Sequence, residues 1–332
     1  DLDAVSKIFI NSSYGVTNAS GLNFNDSAIA KKITKETREV IDLSLRWASG
    51  KDYFHWVNKF YDKVNEKPED RTYLSVEHTL VTPTVHDFIV GPSDTDSISI
   101  CNHDQSPFTK EQIESLITEL NGISPEFMVF EDDGYYDSVL CLKAKNYVLK
   151  AQDKYTYKGS ALKSSKLEPI LKQLLQDCIK DLLNNDGKSL IDIYHSYIKQ
   201  AMNTTDIKPW CQKKTVTKPI LECATNPDAR KNERVIYDAI ANKTVQEGDK
   251  IYVYPCVFSL HREETVLKNG KIRVKETKET GLKCVEDFNN DVDTEKLIDR
   301  VYSTVLVFSN IVGKDFFIDY TLVKNKPLLE TL

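Results

Sequence analysis

The sequence predicts an α+β fold in which packed helices and antiparallel strands share one chain. Three observations carry this. Apolar residues recur at helical spacing in several separate stretches. Two turn-rich segments, Gly91-Pro92-Ser93-Asp94-Thr95 and Asn269-Gly270, lie between or beside short β-forming runs. A lysine-rich stretch over 138–158 reads as strands rather than helix.

In chain order, 1–15 reads as a helix, and 27–48 as a longer one with apolar positions at Ile29, Ile33, Ile41 and Leu45. A third helix over 53–66 follows the break at Gly50. Residues Val85 to Cys101 read as two short strands, HDFIV and SISIC, closing a β-hairpin. Helix resumes over 109–121, and strands follow over 138–158. Leu167, Leu171, Leu174, Cys178 and Leu182 mark an amphipathic helix, with another from Lys188 to Met202. Beyond Thr215 the pattern is mixed: a helix near 230–241, a strand over 251–258, and a hairpin at Asn269-Gly270, a pair suited to type I′ turns.

With 332 residues, 40% hydrophobic and 28% charged, the chain has an ordinary soluble composition and can bury a substantial core. No apolar run approaches the roughly 20 residues a bilayer-spanning helix needs. The chain starts at Asp1 with no basic leader, so the start reads as a cut. Seven cysteines lie far apart without a Cys-x-x-Cys pair and read as reduced cytosolic thiols, and the six histidines show no ligand spacing. Glu131-Asp132-Asp133 reads as a solvated acidic loop, and Trp47, Trp56 and Trp210 as core. The net charge of −6 argues against a surface that clings everywhere to nucleic acid. From Lys143 to Lys172, however, eight lysines face two carboxylates, a local charge of +6 with Tyr147, Tyr155 and Tyr157 interleaved. Such a stretch suits either a solvated face or a track along phosphates.

Two motifs carry chemistry. Around a helix, Lys7, Asn11 and Tyr14 fall within about 60°, opposite Leu2, Val5, Ile8 and Phe9. A cation, an amide and a phenol on one face can hold a polyphosphate, or can simply be the polar side of a surface helix. At the hairpin tip stands Asp94-Thr95-Asp96-Ser97. Two carboxylates this close suit a shared cation, as phosphoryl transfer by a pair of metal ions requires, or else a solvated turn.

Lys7-x-x-x-Asn11-Ser-x-Tyr14-Gly15 followed by Asp94-Thr95-Asp96-Ser97 resembles the second and third polymerase motifs of family B DNA polymerases. Lys143-Ala-Lys145-Asn146-Tyr147 is similar to the family's Lys-x-Tyr element, and Lys158-Gly159 to the Lys-Gly element at the palm–thumb junction. Residues 230–254 resemble the thumb of polymerases from large tailed phages. The resemblance implies an antiparallel palm sheet with a catalytic hairpin, entered from a fingers helix and followed by a mainly helical thumb. The implied division is 1–25 as the end of the fingers, 26–160 as palm and 161–332 as thumb.

The resemblance further implies template-directed addition of a deoxynucleoside triphosphate to a primer on DNA, with two Mg²⁺ ions. Asp96 would be the principal metal ligand with Asp94 beside it. Lys7 and Asn11 would meet the triphosphate, and Tyr14 and Gly15 the nascent pair. Thr95, Ser97, Lys145 and Tyr147 would lie at the primer end, and Lys158, Gly159, Lys163 and Lys166 along the duplex. The family's first motif, which brings the other metal-binding aspartate, occurs nowhere in the chain. The expected partner is therefore an N-terminal polymerase half, with a DNA-binding remnant as the alternative. A sliding clamp is a weaker expectation, because Leu328-Leu329-Glu330-Thr331-Leu332 lacks an aromatic clamp-binding tail. A phage origin would imply the bacterial cytoplasm.

Overall fold

The computed structural model describes residues 26–50, 85–93, 97–125, 128–159, 162, 167–226, 228–266 and 272–321. The predicted helices over 1–15 and 53–66 lie outside them. The chain divides into two compact units, Asp1–Tyr135 and Tyr136–Leu332.

In the first unit, Asp26 opens helix α1 (Ser27–Ser49) by accepting the N–H groups of Ala28 and Ile29 at 3.0 and 3.1 Å. This pairs two of the donors a helix start cannot satisfy internally. Gly50 ends the helix at φ +66, its N–H donating to the Arg46 carbonyl. Strands β1 (Ile89–Val90) and β2 (Ile100–Cys101) pair antiparallel, Ile89 opposite Cys101 and Val90 opposite Ile100. The predicted hairpin is therefore present, with shorter strands than the five-residue runs suggested. Gly91 N–H donates to the Ser99 carbonyl at 2.8 Å, so the chain reverses between them; positions 94–96 of that loop lie outside the described residues.

What seats the hairpin is the end of α1. His86 and Phe88 donate backbone N–H groups to the carbonyls of Trp47 and Ala48 at 2.8 and 2.9 Å. Helix α2 (Lys110–Ile123) starts at a capping box between Thr109 and Gln112. Trp47, Ala48 and Leu120 bury together with Phe88, Val90 and Ile100 around them. The Trp47 indole donates to Glu119 Oε1 at 3.1 Å, and His86 Nε2 lies 3.1 Å from Glu119 Oε2. Each buried large apolar side chain contributes about 1.5–3 kcal/mol, so this cluster anchors both legs of the hairpin.

The second unit begins with strands β3 (Ser138–Lys143), β4 (Asn146–Ala151) and β5 (Lys154–Lys158), a three-stranded antiparallel meander. Helices α3 (Pro169–Asn185) and α4 (Leu190–Met202), strand β6 (Gln212–Thr215), and helices α5 (Lys218–Glu222) and α6 (Lys231–Ile240) follow. Strands β7 (Lys250–Val266) and β8 (Ile272–Cys284) and helix α7 (Thr294–Val305) complete the principal elements. The fold is thus α+β with antiparallel sheets. Leu142 and Val148 of the meander pack with Leu174 and Cys178 of α3, Tyr194 and Ile198 of α4, and Leu297 and Val301 of α7. Trp210 joins this core, as Trp47 joins that of the first unit.

Glu168, 2% exposed, meets Arg300 at 2.6 Å and ties the start of α3 to α7. A smaller core gathers Ile220, Ile240, Ile251, Val253 and Cys284. Strand β7 runs well past the predicted 251–258: it pairs with β8 as far as Val266 opposite Ile272, which places Asn269-Gly270 in the connection, outside the described residues. Helix α7 was not among the predicted elements. Among the described residues no helix is long and apolar enough to cross a membrane.

Candidate nucleic-acid interface

The meander sorts its side chains by strand alternation. Cys141 of β3, Tyr147 of β4 and Lys158 of β5 stand opposite one another and so share a face. Val139, Leu149 and Thr156 form the next row on that face. The other face carries Leu140, Val148 and Tyr157, which pack on the helical core. Lys158 and Cys141 are exposed and Tyr147 is half-buried. A phenol between an apolar row and a cation can contact a sugar–phosphate edge while its ring stays packed.

The lysine-rich stretch is therefore not one track. Lys150 belongs to the helical face, its Nζ donating to Asn184 Oδ1 of α3 at 2.7 Å, and Asn184 Nδ2 donates to the Tyr155 hydroxyl at 2.8 Å. Burial on that face pushes the Tyr157 hydroxyl up from its ordinary pKa. Tyr155 and Tyr157, which interleave with lysines in the sequence, face the core side; Tyr147 faces the other.

The β3–β4 turn consists of Ala144 and Lys145, with Lys145 at φ +61. Asn146, only 6% exposed, donates its Nδ2 to the Ala144 carbonyl at 2.9 Å. The chain leaves β5 directly beneath this turn. Gly159 has φ +97, and a Cβ there would stand 2.1 Å from the Lys145 carbonyl oxygen and 2.5 Å from Asn146 Oδ1. Only glycine meets both conditions. Two sequence elements about a dozen residues apart, Lys145-Asn146-Tyr147 and Lys158-Gly159, are thereby locked at one end of one sheet.

Of the residues singled out in the sequence, Ser97, Lys145, Tyr147, Lys158 and Gly159 are described, and the last four come together as above. Ser97 is exposed in the first unit's hairpin loop. Lys7, Asn11, Tyr14, Gly15, Asp94, Thr95, Asp96, Lys163 and Lys166 lie outside the described residues. Among the described residues no group of three or more His, Cys, Asp or Glu side chains could hold a metal ion. Glu131, Asp132 and Asp133 are exposed, Asp132 accepting the Gly134 N–H at 2.9 Å. Lys213 is exposed on β6 opposite Tyr252, while Lys218 pairs with Glu222 at 3.8 Å. Asn146 was not singled out; its signal was a short polar residue between Lys145 and Tyr147 with a glycine downstream.

A family model of DNA polymerase family B matches residues 3–311. Among solved structures, the family B DNA polymerase from the hyperthermophilic archaeon Pyrobaculum calidifontis is similar at 13% identity and a TM-score of 0.49. That similarity covers 92% of this chain and 33% of that one, so this chain spans about a third of that polymerase's length. No curated protein matches.

Proposed function

The chain belongs to DNA polymerase family B, and from that premise we propose that it forms the C-terminal part of an enzyme adding deoxynucleotides to a primer on a DNA template. The observation that carries this reading is the register placing Tyr147 opposite Lys158, with the Lys145 turn seated on Gly159. It supports a surface on which a phenol and two cations act together on one nucleic-acid strand.

Under this reading Lys145 and Tyr147 reach the primer end from the minor groove, where acceptors differ little between base pairs. Lys158, Lys163 and Lys166 hold duplex phosphates, which position the DNA without reading its sequence. Lys7 and Asn11 meet the incoming triphosphate, with Tyr14 and Gly15 against the nascent pair and Thr95 and Ser97 beside the primer. The family generally uses a divalent metal, Mg²⁺ in this reading, which supplies charge neutralisation on the reacting phosphates. Asp96 and Asp94 are the residues assigned to hold it, together with an aspartate outside this chain. The assigned division keeps 1–25 as fingers, 26–160 as palm and 161–332 as thumb, most like those of large tailed phages.

Primer extension with Mg²⁺ and deoxynucleotides tests the proposal, using this chain alone and then with a polypeptide carrying the family's first motif. Extension is expected only with both pieces, and Asp96→Ala should abolish it. Normal extension by the Asp96→Ala assembly would refute the assignment. A second reading rests on the same face alone: Lys145, Tyr147 and Lys158 can bind primer–template DNA without chemistry. DNA binding with no extension in either arrangement would establish that reading instead.

A further inference from the structure

We infer that Asn146 is a positioning residue for DNA, setting Lys145 at the primer end and Lys158 on the duplex as a matched pair of cationic contacts. The inference rests on the proposed DNA-binding face and names what holds it in register. Lys145 sits in the left-handed region, which costs a side-chain-bearing residue about 1–2 kcal/mol. Something must favour that turn, and the Asn146 amide does so by donating across it to the Ala144 carbonyl at 2.9 Å. With Asn146 only 6% exposed, water cannot easily replace that bond.

The same amide also reaches the second element. Its Oδ1 and Cγ lie 2.5 and 2.7 Å from the point where a Cβ at Gly159 would stand. One side chain thus braces the turn that presents Lys145 and abuts the residue that follows Lys158. Its outline and its hydrogen bond do separable work. Leucine would keep the branched shape without the donor, and alanine would remove both.

The test is binding of the full chain to a fluorescently labelled primer–template duplex, measured by anisotropy from about 50 to about 200 mM salt. Wild type is compared with Asn146→Leu, Asn146→Ala, Lys145→Ala and Lys158→Ala, each checked by thermal melting. Each lysine variant should lower the slope of log affinity against log salt by about one. Asn146→Leu, which removes no charge, should lower it by about one, and Asn146→Ala, which loses outline and donor alike, by about two. The wild-type advantage over the alanine variant should then shrink about twelvefold across this salt range.

A residue that merely stabilises the fold would change the melting temperature and leave the slope of the folded protein unaltered. An unchanged slope in both Asn146 variants, with lowered slopes in the lysine variants, overturns the inference and leaves the DNA-binding face standing. Unchanged slopes in the lysine variants overturn that face itself. Loss of the fold in both Asn146 variants also overturns the inference, since the residue then holds the unit rather than the contact.

Discussion

Substituting Gly159 by alanine tests the joint between the two lysine elements most directly. The backbone at φ +97 costs a residue with a Cβ of order 1–3 kcal/mol. The Cβ would also stand 2.1 Å from a backbone carbonyl, which cannot rotate away as a flexible side chain can. Overpacking of this kind adds about 1–3 kcal/mol. The sum, about 4 kcal/mol, is a large share of the 5–15 kcal/mol that typically separates folded from unfolded domains. At about 2–4 °C per kcal/mol for a unit of this size, the melting transition should fall by roughly 10 °C. Gly248→Ala supplies the control: its φ is +93, yet nothing lies within 4 Å of the added Cβ. It should show the backbone cost alone, roughly half the shift. Calorimetry on both variants checks the difference. Equal shifts for the two would refute the close seating of the Lys145 turn on Gly159.

Arg300→Met leaves the Glu168 carboxylate buried without its cation and should cost about 3–5 kcal/mol, read by chemical denaturation. Replacing both partners with apolar residues should recover most of that loss; an equal loss in the double variant would count against the ion pair. Burial holds His195 below the ordinary imidazole range against the pull of Asp192, and the Tyr320 hydroxyl lies 2.8 Å from its Nε2. A depressed histidine contributes stability that is present above about pH 6.5 and is lost as pH falls towards the folded-state pKa. The melting temperature of wild type should therefore drop more than that of His195→Gln on going from pH 7.5 to about 5.5. At Asp291, burial pushes the carboxyl up, but hydrogen bonds from Lys283 and Tyr254 outweigh it and hold it below the usual range. That stability is present above about pH 4 and lost as pH falls through the lowered value, so acid unfolding should be shallower in Asp291→Asn.

Local signals were legible where one segment carries its own pattern. The helix over 27–48 was readable from its recurring apolar residues and the break at Gly50, to which the structure adds the Asp26 cap. The β1–β2 hairpin was readable from turn residues between β-forming runs. Helix α7 carried a comparable local pattern that went unread: Asp293 caps it, and Leu297, Val301 and Val305 recur at helical spacing. The full length of β7 escaped for a different reason, because its outer half is specified by pairing with β8 rather than by its own composition.

By itself the sequence determined which side chains are available: the Lys145-Asn146-Tyr147 and Lys158-Gly159 elements, and the ordered pair of motifs that carries the family resemblance. It could not say which lysines share a surface, since a run of charges is blind to strand alternation. Tertiary structure decided that Lys158 joins Tyr147 while Lys150 turns to Asn184, because pairing across β4 assigns each residue to one of two faces. It also decided that Gly159 is required, since the carbonyl and amide that fill the space of its missing Cβ come from residues thirteen and fourteen positions earlier, a proximity that exists only once the sheet has formed.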